Sequence, residues 1–126
     1  MKLHADPRPT FHTITALGRG YVAVDAKRYE RSLLLQPDSI DADWGPTNPD
    51  LLTAAHLAPL AGIGCDVLLL GTGERQRFPG PAALRPLLEA RIGVEVMDTP
   101  AACRTYNILA AEGRKVAAAL IVESAA

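Results

Sequence analysis

The sequence is poor in the features that announce a chemistry. Its 126 residues include only two cysteines, Cys65 and Cys103. They form neither a CxxC motif nor a zinc-ligand spacing. A chain of this length also buries enough apolar surface to fold without a disulfide framework. No metal and no cofactor is expected. Aromatic residues make up 5% of the chain, with one tryptophan, Trp44. The formal net charge is −1, and no basic cluster is long enough to line a phosphate backbone, so nucleic acid is set aside as a partner. No apolar run reaches the roughly 18 residues a spanning helix needs, so membrane insertion is not expected. Met1 to Pro9 offers neither the apolar core of a signal peptide nor the arginines of a transit peptide. A soluble cytoplasmic protein, of the bacterial kind, is the expectation.

What is present is ordinary for a globular fold: 48% apolar and 21% charged residues. One domain over 1–126 is expected, with a loose tail at 1–10, antiparallel strands over 11–50 and βα repeats over 51–122. Phe11–Leu17, Tyr21–Asp25 and Tyr29–Leu35 read as strands joined by turns at Gly18–Gly20 and Asp25–Lys27, the last stopped by Pro37. Ser39–Trp44 has room for a further short strand, and Trp44 reads as a core or rim anchor. Asp50 is placed to cap a helix over Leu51–Leu60, within which His56 reads as structural or exposed.

From Asp66 the pattern repeats strand, helix, strand, helix, strand. Asp66–Leu70 and Val116–Val122 are apolar on both faces, as central strands covered by helices are. A helix is expected up to Arg91 despite Pro86, then a strand over Val94–Met97. Thr99 reads as an N-cap and Pro100 as the first residue of a helix that runs to Glu112 and closes at Gly113. Right-handed crossovers make the three strands parallel. The fold class is therefore α/β, one domain whose mixed sheet combines antiparallel N-terminal strands with a βαβαβ half.

Parallel strands place their carboxyl ends, and hence ligand crevices, at one edge. The loop Gly71, Thr72, Gly73, Glu74 to Arg77 then neighbours Asp98 and Thr99. The helix beginning at Pro100 would point free N–H groups and positive potential into that crevice. Thr105, Tyr106 and Asn107 are polar or bulky residues mid-helix, and Cys103, Arg104 and Asn107 share one side at helical spacing. Candidate ligand-binding residues are thus Gly71, Thr72, Gly73, Glu74, Arg77, Asp98, Thr99, Arg104, Thr105 and Asn107. Geometry alone is the competing explanation: glycines make turns, and Asn107 and Thr105 can bond neighbouring loops. Gly71-x-Gly73 has Gln76 where a dinucleotide fingerprint needs its third glycine, and no GK[ST] follows, so neither nucleotide motif is met. Cys103 reads as a core thiol, and no residues form a Ser–His–Asp or paired-carboxylate set; the catalytic residues are unknown.

The runs Leu69–Glu74, Arg77–Pro79, Gly93–Thr99 and Ala102–Leu109 resemble a family of small domains of unknown function first described in a methanogen protein. That family includes the mitochondrial respiratory complex I assembly factor three and the adipogenesis-associated domain protein of animals. The resemblance extends from about Ile14 to Val122. It implies a three-layer α/β domain with a hammerhead-like N-terminal hairpin, and a protein that works through protein partners. The leading expectation is accordingly a non-enzymatic, partner-binding or assembly-factor-like protein. The alternative is a binder of a small anionic or amide-bearing molecule, or an enzyme, that uses the crevice.

Overall fold

The computed structural model of the protein describes residues 11–125; the tail expected over 1–10 lies outside the described residues. Ile14–Gly18 (β1), Tyr21–Val24 (β2) and Lys27–Tyr29 (β3) form an antiparallel sheet in chain order. The β2–β3 turn is the two-residue loop Asp25-Ala26, with φ of 53° and 69°. Two successive left-handed residues give the turn whose twist matches the flanking strands. Val24 accordingly pairs with Lys27. Strand β1 starts at Ile14 rather than Phe11.

The single strand expected over Tyr29–Leu35 is broken. Residues 30–32 leave the first sheet, and Leu33–Gln36 (β4) joins a second one. The buried Ser32 hydroxyl accounts for the turn: it donates to the Pro46 carbonyl at 2.6 Å and accepts the Val122 N–H at 2.9 Å. Alternation of apolar residues cannot reveal such a change of partner.

The second sheet adds Ser39–Asp41 (β5), Val67–Gly71 (β6), Val94–Met97 (β7) and Val116–Leu120 (β8), in the order β5-β4-β8-β6-β7. Strand β6 pairs parallel with β7 and β8, and β4 pairs antiparallel with β5 and β8. This is a mixed sheet, with the three parallel strands where the crossover argument puts them. Its central strands alternate between two cores. Leu33, Leu35, Leu69, Val116, Ala118 and Leu120 face one side, and Leu34, Leu68, Leu70, Ala117, Ala119 and Ile121 the other. Each core is covered by its own layer, so both faces are apolar.

The layer over the first core combines the β1–β3 sheet with helix α3 (Thr99–Ala111), which buries Ala102, Cys103, Tyr106 and Ala110. Helices α1 (Ala54–Leu57) and α2 (Pro81–Glu89) cover the second, with Trp44, Leu57, Leu60 and Leu87. Trp44 is the anchor expected, its indole N–H donating to the His56 carbonyl at 2.9 Å.

The helix expected over Leu51–Leu60 is three short pieces: a 3₁₀ turn at Pro49–Leu51, α1, and a 3₁₀ turn at Ala58–Gly62. Asp50 is not its cap. Asn48 accepts the Asp50 N–H at 2.9 Å, and the extended Thr53 starts α1, donating its N–H to His56 Nδ1 at 3.0 Å. Pro59 has no N–H to continue the ladder beyond α1. Helix α2 runs through Pro86. The cap of α3 lies one residue earlier than expected, because the Asp98 carboxylate, not Thr99, accepts the Ala101 N–H, at 2.7 Å. Gly113 closes the C-terminal end of α3 with φ 80°, as expected.

Candidate functional site

The carboxyl edge of β6 and β7 does bring Gly71, Thr72, Gly73, Asp98 and Thr99 together, but as a closed seam. The Thr72 N–H donates to Met97 O at 2.9 Å and the Thr99 N–H to Gly73 O at 2.8 Å. The Thr99 hydroxyl accepts the Gly73 N–H at 2.9 Å and donates to Ile121 O at 2.7 Å. One buried side chain therefore ties the loop after β6, the start of α3 and the end of β8. Gly71 is glycine because strand and helix touch there: a Cβ would sit 2.9 Å from Thr99 Oγ1 and 3.0 Å from its Cα. Gly73, at φ 97°, leaves its space to the Glu123 carboxylate. The two glycines serve close approach within the chain.

The N–H groups expected to be free at the start of α3 are all engaged. Thr99 donates to Gly73, Pro100 has no N–H, Ala101 donates to the Asp98 side chain, and Ala102 donates to the Asp98 carbonyl at 3.0 Å. Asp98 also supplies the negative charge that a helix N-terminus attracts. In the loop, the Glu74 N–H donates to Glu123 Oε1 at 2.8 Å, and the Glu74 carboxylate lies 3.6 Å from Arg19 Nε. The space left between this seam and the β1–β2 hairpin, beside Tyr21, Gly73, Pro100 and Val122, is about 30 Å³. That is room for about two water molecules.

The polar segment of α3 points elsewhere. The Asn107 amide brackets β1, accepting the Ile14 N–H and donating to the Ile14 carbonyl, each at 2.9 Å. Tyr106 is fully buried, and its hydroxyl donates to His12 O at 2.7 Å. Burial pushes its phenol well above the usual range. His12 Nδ1 lies 2.6 Å from the Asp25 carboxylate, which also accepts the Thr13 N–H at 3.0 Å. Burial alone would raise the Asp25 carboxyl, but these hydrogen bonds outweigh it and hold it below the usual range. Thr105 Oγ1 donates to Met97 Sδ at 3.7 Å, and Arg104 is exposed. Cys103, Arg104 and Asn107 thus reach a core, solvent and β1 respectively, not a common crevice mouth. Burial pushes the Cys103 thiol up to about 12, leaving no thiolate at neutral pH.

Arg77 and Thr72 are the candidates that border the open space on the α2 side. The Arg77 guanidinium meets Asp50 Oδ1 at 3.1 Å beside a recess of about 230 Å³ lined by Pro49, Leu52, Thr72, Pro79 and Ile121. Phe78, at its rim, is 78% exposed. The connector Phe78-Pro79-Gly80-Pro81 carries a readable signal: an aromatic ring between Arg77 and Pro79 has no helical or strand neighbour to pack against. Among the described residues, no cluster of three or more His, Cys, Asp or Glu is arranged to hold a metal ion. Among them also, no helix is long and apolar enough to cross a membrane.

Comparison with known proteins places this geometry in a family. The family model described as "Protein of unknown function (DUF498/DUF598)" matches residues 14–121. The crystal structure of a Bordetella parapertussis protein superposes with a TM-score of 0.82 at 45% identity, covering 93% of this chain and all of that one (100%). A Bordetella pertussis protein described as an Mth938-like domain gives 0.80 at 39% identity, covering 98% of this chain and 94% of that one. The bovine (Bos taurus) NADH dehydrogenase [ubiquinone] 1 alpha subcomplex assembly factor 3 is 46% identical over 56 residues, which are 44% of this chain and 30% of the relative. The matched stretch thus spans less than a third of that relative's length. With its family model matched over nearly the whole described fold, the chain belongs to the DUF498/DUF598 family of proteins of unknown function.

Proposed function

We propose that the chain is a non-enzymatic partner-binding protein of the assembly-factor kind. The observation that carries this reading is that the amides at the carboxyl edge are engaged within the chain. Where an α/β fold usually receives a ligand, the loop and helix N–H groups of this chain are bonded to Gly73, Asp98, Thr99 and Glu123. A small anion would have to break those bonds to bind. The match to proteins named as assembly factors supports the same reading. In its finer form the proposal makes the partner a subunit of a respiratory NADH dehydrogenase.

Native-gel complexome profiling of cells carrying the tagged full chain tests it. Co-migration with an assembly much larger than the 13.4 kDa chain is expected, with dehydrogenase subunits in the same band for the finer form. Migration only at the mass of the free chain, under growth conditions that require respiration, overturns the proposal.

A further inference from the structure

We infer that the outer side of α2 and the connector before it form the docking surface for an acidic segment of a partner protein. This rests on the partner-binding reading and names the chemistry of the partner. Three of the large apolar side chains left exposed lie in this layer: Phe78 at 78%, Leu88 at 59% and Leu51 at 54%. The Arg77–Asp50 ion pair, at 3.1 Å, shows that the turn carrying Leu51 lies beside the connector carrying Phe78. On α2 the buried side is Ala83 and Leu87, so Arg85 and Leu88, three apart, share the outward side.

The charge of the connector and α2 differs from that of the whole, even with Arg77 paired to Asp50 of the facing turn. Residues 75–91 hold four arginines and a single glutamate, Glu89, in a chain of net charge −1. Arg75, Arg85 and Arg91 are all exposed. Every cation in the stretch is arginine and none is lysine. Arginine with aromatic anchors is the composition of protein interfaces, from which lysine is depleted. The planar guanidinium also pairs with carboxylates two bonds at a time.

The recess beside Phe78 selects among occupants. A lipid surface is flat and would leave its 230 Å³ empty, whereas a side chain of a protein segment reaches into it, between the apolar Pro49, Leu52 and Pro79 and the polar Asp50, Thr72 and Arg77. A second copy would set arginines against arginines. An acidic segment places one apolar side chain between Pro49, Leu52 and Pro79 and its carboxylates on Arg75 and Arg85, and competes with Asp50 for Arg77.

Site-specific photo-crosslinking in cells producing the full chain tests this, with Phe78→benzoylphenylalanine, Leu88→benzoylphenylalanine and, on the opposite layer, Ile108→benzoylphenylalanine. The proposal predicts protein adducts at 78 and 88 but not at 108, mapping to a segment richer in Asp and Glu than in Lys and Arg. Adding Arg75→Glu and Arg85→Glu, with an unchanged melting temperature, is expected to lower the yield at 78 about tenfold or more, because reversed charges repel the same partner. Adducts with a second copy, with lipid or with a basic segment overturn it. Adducts at 108 alone overturn this surface while leaving partner binding standing. No adduct at any site, in cells where complexome profiling places the chain in a large assembly, also overturns this surface alone.

Discussion

Asn107 offers a sharp test of how the two sheets are held together. Its amide acts as a surrogate neighbouring strand, giving Ile14 both an acceptor for its N–H and a donor for its carbonyl. The two residues are 93 positions apart, so the bonds join α3 to the first strand. Asn107→Ala removes both. Each such bond is worth about 0.5–1.5 kcal/mol, so the pair contributes about 1–3 kcal/mol. Ile14 is only 7% exposed, which restricts replacement by water and favours the upper half of that range. With a urea m-value of about 1–3 kcal/mol/M, the midpoint should fall by about 1 M at constant m.

Asn107→Asp adds a pH signature. At neutral pH its second oxygen faces the Ile14 carbonyl, so the loss should at least equal that of Asn107→Ala. A protonated carboxyl restores one donor and one acceptor. The fold therefore favours the protonated form and raises that carboxyl above its unfolded value of about 3.9. The folded state then binds more protons, and stability relative to wild type recovers as pH falls through the raised pKa. A midpoint change below about 0.2 M for Asn107→Ala, or a pH-independent deficit for Asn107→Asp, would refute this account of Asn107.

Other substitutions examine the remaining joints. Thr99→Val keeps the shape but strands the buried Gly73 N–H and Ile121 carbonyl, and should cost about 2–4 kcal/mol in thermal or urea unfolding. Gly71→Ala forces its methyl against Thr99 and should destabilise by about 1–3 kcal/mol, with the largest amide shifts at the start of α3 in NMR spectra. Asp25 is held low by His12 and Thr13, so its contribution exists above the unfolded carboxyl value and fades as pH falls through the lowered one. Asp25→Asn should therefore be less stable than wild type near neutrality and equal to it in strong acid, as read by urea midpoints across that range. Cys103 should resist alkylation in the native protein at pH 8 and react only after unfolding, whereas Cys65, only partly buried, reacts first; mass spectrometry of the labelled peptides decides it.

The elements from Val67 onward were legible because each rests on a local rule: apolar runs for β6 and β8, proline at the start of α3 and glycine at its end. Crossover handedness then supplied the parallel order. The front half was less legible because its decisive contacts are distant. Ser32 turns the chain by bonding Pro46 and Val122, and no spacing near Ser32 reveals either. The same holds at the candidate site. The sequence brings Gly71–Gly73 and Asp98–Thr99 to one edge, and they do meet there. It does not show that Thr99 fills the gap, that Glu123 reaches back to Glu74, or that Asn107 turns toward β1. An Asp-Thr-Pro start looks the same whether the helix end awaits an anion or is capped by its own aspartate. The exposed Phe78 was readable as an oddity, but its recess depends on Pro49 and Ile121, far from it in sequence.

The central claim is that the amides of the carboxyl edge are taken by the chain's own groups, which leaves the outer surface for the proposed partner. The most direct measurement is a two-dimensional amide NMR titration with inorganic phosphate, citrate and glutamine, following the N–H signals of Gly73, Glu74, Thr99 and Ala101. The account predicts no saturable shift at these amides at concentrations that would reveal a Kd of about 1 mM. A saturable shift centred on these four amides would show that the edge opens to a ligand, and would contradict it.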